Sequence, residues 1–371
     1  MPIDSRVKGA GVLAKKAFKS LKEIQTGEKP IIKTGQDFID CHIGGLLPGD
    51  AILIGASSGT GKTKLLYDTL ELIMSENVNA NAKNFVSLDY SLEMKFLNKI
   101  LRDVNKKTEK SKTKILKEEF TKEEKDIVKS YYEALKDDRR FVCEESVTVK
   151  DFFNITRDFC EENKEKDAIF ISIDHVMLLL NDNRGEDKAE VLTSYINIIR
   201  KQYDNVYFAL LSQFNRANWS NAGDRNNEML PKPNVIYGSS HFEFLCSYII
   251  GMIDPFKMGV NEFMNVNPER YGWLEDYMTE PNKKGKVAFD TLGNMFYVVM
   301  KTRESDVPYK NLFIRPMELT EKQLSNMKSQ VSNDKKITEE TPTFEPEPEP
   351  NPYDDLKPNF NTKDTFDQPP F

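Results

Sequence analysis

The sequence predicts an α/β protein with a largely parallel, twisted sheet flanked by helices, and three observations lead there. Short apolar runs alternate with longer amphipathic stretches over most of the chain. One run feeds a loop of small residues that opens into a helical stretch. A later run ends on a lone carboxylate. The strand candidates are residues 51–54, 85–92, 168–173, 206–211, 248–253 and 295–300, with helical stretches between the early ones in a βαβ rhythm.

In chain order, residues 1–30 are basic and hold one helical stretch, 12–24, with Leu13, Ala17, Leu21 and Ile24 on a single stripe. A lone helix with one apolar stripe must dock on its own domain or on a neighbour. Residues 103–140 are dense in Lys and Glu. There Thr121 and Glu124 form a capping box, and the segment reads as a solvated helical pair. Residues 254–290 mix Pro, Gly, Asn and aromatics and read as hairpins and loops. Beyond about Glu321 the apolar periodicity stops. In residues 345–352 alternate prolines lack an N–H and like charges repel, so a disordered, acidic, Pro-rich tail is expected. The expected organisation is a basic linker helix (1–34), one α/β domain (35–318) and the tail (319–371).

The net charge is −7, which argues at first against a nucleic-acid partner. Residues 331–371 alone carry −6, however, so a basic channel in the nearly neutral body is not excluded. The four cysteines, Cys41, Cys143, Cys160 and Cys246, form no CxxC pair, and with three histidines a zinc site is not expected. No signal-peptide core opens the chain and no apolar run is long enough to span a bilayer, so a cytoplasmic, membrane-free protein is expected.

The chemistry is concentrated in Gly55-Ala56-Ser57-Ser58-Gly59-Thr60-Gly61-Lys62-Thr63. Phosphates need several backbone N–H groups turned inward, and small residues allow the chain to curl that tightly. The helix opening at Gly61-Lys62-Thr63 adds its partial positive charge. Residues Ala56 to Thr63 thus form a phosphate loop for ATP, with Lys62 reaching the β- and γ-phosphates and the Thr63 hydroxyl on Mg²⁺. The first position of the G-x4-G-K-[ST] pattern is Ala56, with glycine one place earlier. Asp174, at the end of an apolar strand about a hundred residues on, is the expected second magnesium residue. His175 beside it is expected to pack or hydrogen-bond.

Further segments resemble, in order, the C-terminal RecA-like ATPase domain of DnaB-type replicative helicases, including phage relatives. These are Lys33 to Asp40, Gly44 to Asp50, Ser91-Leu-Glu-Met94, the stretch 116–132, Ser212-Gln-Phe-Asn-Arg216 and Lys301-Thr-Arg303. The resemblance covers residues 33–315 and implies that the family's N-terminal domain is missing here. It implies that Glu93 activates the attacking water, with Asp89 as runner-up on the same strand. Gln213 would sense the γ-phosphate, and Lys301 and Arg303 would reach a neighbour's ATP.

The same resemblance points to residues 181–188 and 215–240 for single-stranded DNA, where Arg184, Lys188, Arg216, Arg225 and Lys232 supply charge and Trp219 a stacking face. Tyr237-Gly-Ser-Ser240 stands where the family has Arg-Glu-Ser-Gly, without its arginine. The implied activity is ATP-driven 5′→3′ translocation and unwinding as a homohexameric ring, with primase, loader or single-stranded-DNA-binding protein as further partners. The terminal Pro-Pro-Phe371 resembles the tip of bacterial single-stranded-DNA-binding proteins; a solubilising tail is the alternative. A recombinase filament and a regulatory ATPase without DNA unwinding are the rival readings.

Overall fold

The structure, a computed structural model, describes residues 8–182, 187–215, 230–258, 262–303, 311–317, 325, 327 and 328. The chain falls into two compact units, Met1–Leu319 and Thr320–Phe371. In the second, the three described residues are helical.

The first unit is built on an eight-stranded sheet. Its strands are β1 (Ala51–Ala56), β2 (Phe85–Ser91), β3 (Arg140–Cys143), β4 (Ala168–Asp174), β5 (Val206–Gln213), β6 (Tyr248–Ile253), β9 (Asn294–Thr302) and β10 (Leu312–Pro316). They lie in the order β10-β9-β6-β1-β5-β4-β2-β3. Six strands run parallel, while β9 and β10 are antiparallel at one edge. A hairpin of β7 (Glu262–Val266) and β8 (Val287–Asp290) forms a separate two-stranded sheet.

All six expected strands are present. Their unbroken apolar runs follow from burial on both faces: every residue of β1, β2, β4 and β6 is buried. Alternation then sorts the side chains into two cores. Ala51 and Leu53 join Leu88, Phe152, Ile196 and Phe242 on one face. Ile52 and Ile54 join Leu66, Leu70, Phe85 and Phe170 on the other. Side chains of this size contribute about 1.5–3 kcal/mol each when fully buried. The first core is covered by α7 (Val149–Glu162), α8 (Lys188–Gln202) and α9 (Ser239–Leu245), the second by α2 (Asp37–Ile43) and α3 (Lys62–Ile73).

The Lys- and Glu-rich segment folds as α4 (Phe96–Thr108), α5 (Lys112–Lys117) and α6 (Lys122–Leu135). The Thr121–Glu124 capping box closes at the start of α6. Strand β3 follows it and has no counterpart among the strand candidates of the sequence. Its pattern of partial exposure gives no apolar run to read, as befits a four-residue edge strand. At the other end, α1 (Ala10–Gln25) buries none of its residues. Val12, Leu13, Phe18 and Leu21 are all at least half exposed, and the Lys16–Asp204 ion pair ties the helix to the body.

The strand order positions the site. From β1 the chain moves outward to β2 and β3, returns through β4 and β5, and then crosses β1 to reach β6. Order reverses at β1, and the crevice at the carboxyl ends beside such a reversal is where open parallel sheets bind ligands.

Candidate nucleotide-binding site

Four carboxyl ends meet at that crevice: β1 at Ala56, β5 at Gln213, β4 at Asp174 and β2 at Ser91. In register, Ala56 lies opposite Gln213, and Ser91 opposite Asp174. The loop after β1 turns through Gly59 and Gly61, both at positive φ (73° and 103°), where a side chain would be strained. Gly61 is the N-cap of α3, so that helix aims its N-terminus back along the loop. Ala56 at the first motif position is explained by its place inside β1, where it is extended and buried. The glycine falls at 55 for packing: a Cβ there would stand 2.9 Å from the Phe214 ring.

Lys62 is buried, and its ammonium donates to the carbonyls of Ala56 (3.2 Å) and Ser57 (3.1 Å). Burial lowers its pKa, while the charges of Glu93 and Asp174 act in the opposite direction. Asp174 is 2% exposed. Burial pushes its carboxyl up to about 6, the Thr63 hydroxyl working against that shift and the Glu93 charge with it. Neither carboxylate oxygen closes a hydrogen bond, although Thr63 stands near enough to favour the ionised form. Burying a carboxylate without partners is unfavourable, so this is a position suited to a cation. Among the described residues no group of three or more His, Cys, Asp or Glu could hold a metal. One carboxylate and one hydroxyl instead match a magnesium ion whose other ligands are phosphate and water.

Glu93 is exposed just past β2, and its backbone N–H donates to the Asp174 carbonyl (3.2 Å). Asp89 is different. It is sealed within the sheet, accepts from the Ser172 hydroxyl, and has its pKa raised by burial. The chain leaves the strand after Ser91, so the alternation that paired Asp89 with Glu93 in the sequence does not extend to Glu93. The Gln213 amide lies 3.3 Å from His175 Nε2, and His175 Nδ1 is buried without a partner. His175 therefore joins β4 to β5 as a hydrogen-bonding residue, and burial lowers its pKa.

One contact had no signal in the sequence. Lys257, in the turn after β6, donates to the Gly59 carbonyl (2.8 Å) and lies 3.4 Å from Asp254. Only the adjacency of β6 and β1 brings it there.

Lys301 and Arg303 are far from this crevice. Thr302 pairs with Tyr248 at the start of β6, whereas Tyr297 pairs with Met252, the partner of Ala56. Five strand residues, roughly 16 Å, separate the two rows. Both cations instead meet the C-terminus of α9. Lys301 donates to the carbonyls of Glu243 and Cys246, and Arg303 to those of Phe244 (3.4 Å) and Leu245 (2.8 Å). Arg200 also donates to the Leu245 carbonyl, at 2.9 Å.

Of the expected DNA residues, Lys188 is committed to the carbonyls of Met177 (2.6 Å) and Leu179 (2.8 Å), and burial lowers its pKa. Lys232 is exposed. Arg184, Arg216, Trp219 and Arg225 lie outside the described residues, as do residues 329–371 of the expected tail, Phe371 among them. No helix among the described residues is long and apolar enough to cross a membrane.

The fold is shared with solved structures. An ATPase domain among them superposes with a TM-score of 0.59 at 16% identity, covering 86% of this chain and 98% of that one. A DnaB-like replicative helicase, solved in a study of its interactions with primase, gives 0.54 at 17% identity, covering 83% of this chain and 64% of that one. At such identities the likeness shows the RecA-like fold alone. A search of curated proteins finds no match. The family described as DnaB-like helicase C terminal domain matches residues 32–229, which is more than half of the chain and runs from before the phosphate loop to past Gln213. On that match, over the strands that build the crevice, the chain belongs to the DnaB-like helicase C-terminal domain family.

Proposed function

We propose that the chain hydrolyses ATP to translocate on single-stranded DNA and unwind duplex DNA as a ring of identical subunits. The observation that carries this reading is the pairing of a buried, unpartnered Asp174 with Lys62 and Thr63 at the mouth of a phosphate loop. Backbone N–H groups of residues 57–62 and the α3 N-terminus would bind the β- and γ-phosphates. Lys62 would exchange its two carbonyl acceptors for phosphate oxygens. Magnesium, held by Thr63 and through water by Asp174, would supply charge neutralisation on the phosphates.

Glu93 would accept the proton of the attacking water as ADP leaves. Gln213, bonded to His175 and opposite Ala56, would report the state of the γ-phosphate to the segment after β5. Lys301 and Arg303 lie too far away to serve their own loop, which supports a role at the ATP of an adjacent subunit. The uncovered stripe of α1 supports self-association as well, since an apolar face of this kind calls for a partner. Residues 181–188 and 215–240 remain the proposed DNA segments.

Electron microscopy with ATP and single-stranded DNA, alongside unwinding of a forked duplex, tests the proposal. Closed rings with unwinding are expected. Helical filaments without unwinding would favour the recombinase reading, and ATPase activity without DNA binding the regulatory one.

A further inference from the structure

A second charged cavity, of about 880 Å³, opens on the outer flank of α3, between that helix, α4 and α6. It is separate from the phosphate loop, and nothing in the ATPase reading uses it. At its inner wall lies Lys99, only 6% exposed. Among the described residues this ammonium has no hydrogen-bond acceptor. It faces the rings of Tyr67 (3.2 Å to the centroid) and Phe96 (5.5 Å).

Arg102, one turn along α4, and Arg140, at the start of β3, also line the cavity. Both are close enough to lower the pKa of Lys99 further, to about 8, beyond what burial does. Three cations thus converge where their mutual repulsion is unfavourable. The charges of Asp89 and Asp103 act in the opposite direction on Lys99, and Glu71 and Asp126 stand exposed at the cavity wall. Asp103 accepts from the Tyr131 hydroxyl (2.6 Å) and is 4.0 Å from Arg102, while Asp68 is paired with Lys64 and Asp137 with Arg139. Asp89, behind Lys99, accepts from Ser172 on one oxygen, while its other oxygen is buried without a hydrogen-bond partner. A buried ammonium without a hydrogen-bond acceptor, with Arg102 and Arg140 half-buried beside it and two tyrosine rings at hand, in a cleft within the size range of small-molecule sites, is the complement of a phosphate group carried on a small molecule.

We propose that this cavity is a second anion site, binding a small phosphate-bearing molecule through Lys99, Arg102 and Arg140. Its depth favours a small ligand over a nucleic-acid backbone, because Lys99 lies behind the rim and three helices wall it in. The site adjoins the nucleotide pocket: Arg102 also favours the ionised form of Asp174.

The test uses the full chain with its phosphate loop saturated by MgADP, and inorganic pyrophosphate as the probe. Acetylation of Lys99 and of Lys62 is followed separately by mass spectrometry at pH 8, where the Lys99 amine is partly unprotonated. Pyrophosphate should slow Lys99 modification saturably. Arg140→Met should raise the half-protection concentration by about tenfold or more, the loss expected for one charge-assisted hydrogen bond. Lys62→Ala should leave Lys99 protection unchanged, which separates this site from the ATPase reading.

If Lys99 proves unreactive, the thermal upshift given by pyrophosphate in Lys62→Ala protein replaces it, and Arg140→Met should abolish that shift. Protection that vanishes in Lys62→Ala, or survives unchanged in Arg140→Met, overturns the proposal. So does protection by a thymidine oligonucleotide but not by pyrophosphate, which would make the cavity a nucleic-acid contact.

Discussion

The two ends of the sheet hold opposite charge problems. At the carboxyl ends of β1, β2 and β4, acids predominate and are poorly satisfied: Asp174 lacks a hydrogen bond on both oxygens, and Glu93 projects beside it. At the far end of β9, cations gather and donate to the carbonyls closing α9. On the proposed function, a cation and a nucleotide would complete the first arrangement. In the second, Arg200 and Arg303 share one carbonyl and repel each other: burial lowers the Arg200 pKa first, and the Arg303 charge lowers it further. In the proposed ring, a strong anion brought by a neighbour would draw Arg303 away while Arg200 keeps the helix end capped. On that proposal the two regions would be halves of one site, brought together by a subunit interface.

Separating the halves by mutation should have the largest effect. Lys62→Ala should abolish ATP turnover with the fold retained, and Arg303→Ala should cut it by about 10³–10⁵, the range for a cation supplied across an interface. Mixing the two variants should recover activity above the sum of the separate proteins, because some interfaces then pair an intact pocket with an intact Arg303. Recovery should depend on protein concentration. A mixture that stays inactive despite demonstrated subunit exchange would confine Arg303 to a structural role at α9.

Within the acidic half, Glu93→Gln should lower turnover by about 10²–10⁴ while ATP still binds, as for loss of a general base. Asp89→Asn should be milder, since Asp89 is sealed against Ser172 rather than facing the crevice. Single-turnover hydrolysis of the two variants decides between them, and a dead Asp89→Asn with an active Glu93→Gln would reverse the assignment.

A stability measurement sharpens the contrast further. Asp174 titrates at about 6 in the folded chain, against 3.8 for an unperturbed carboxyl. The folded state therefore holds that proton more tightly, and its stability falls as pH rises from 3.8 through about 6. Asp174→Asn removes this penalty. Without nucleotide the variant should be about 2–3 kcal/mol more stable than wild type at pH 7, with the gap closing on acidification. Denaturant melts at pH 7 and pH 4 give both values. Equal stability at pH 7 would mean that Asp174 is better satisfied than its buried, unpartnered oxygens indicate.

The smallest effect belongs to the cationic half. Arg200→Met should destabilise the chain by only about 1 kcal/mol, because Arg303 still caps the Leu245 carbonyl. In combination with Arg303→Ala the loss should exceed the sum of the two, since that carbonyl then loses both donors. Additive losses in a chemical-denaturation cycle would show that the two arginines act independently.

What the sequence determined is local and covalent. The phosphate loop, its flanking strand and helix, the apolar runs of the sheet and the Thr121–Glu124 cap depend on neighbours within a few residues, so periodicity and residue type were enough to read them. Asp174 was legible for the same reason, as the carboxylate ending an apolar run. The tertiary structure decided what depends on strand order. Only the β1–β6 adjacency brings Lys257 to Gly59, across 198 residues, and only the antiparallel course of β9 carries Arg303 away from its own phosphate loop. The exclusion of Asp89 from the crevice was decided there too, because the sequence gives its strand parity but not the end of β2 at Ser91 or the hydroxyl of Ser172 beside it. Side-chain alternation is fixed by the backbone's own geometry, whereas register and crossover are fixed by burial summed over the whole sheet, which no single segment encodes.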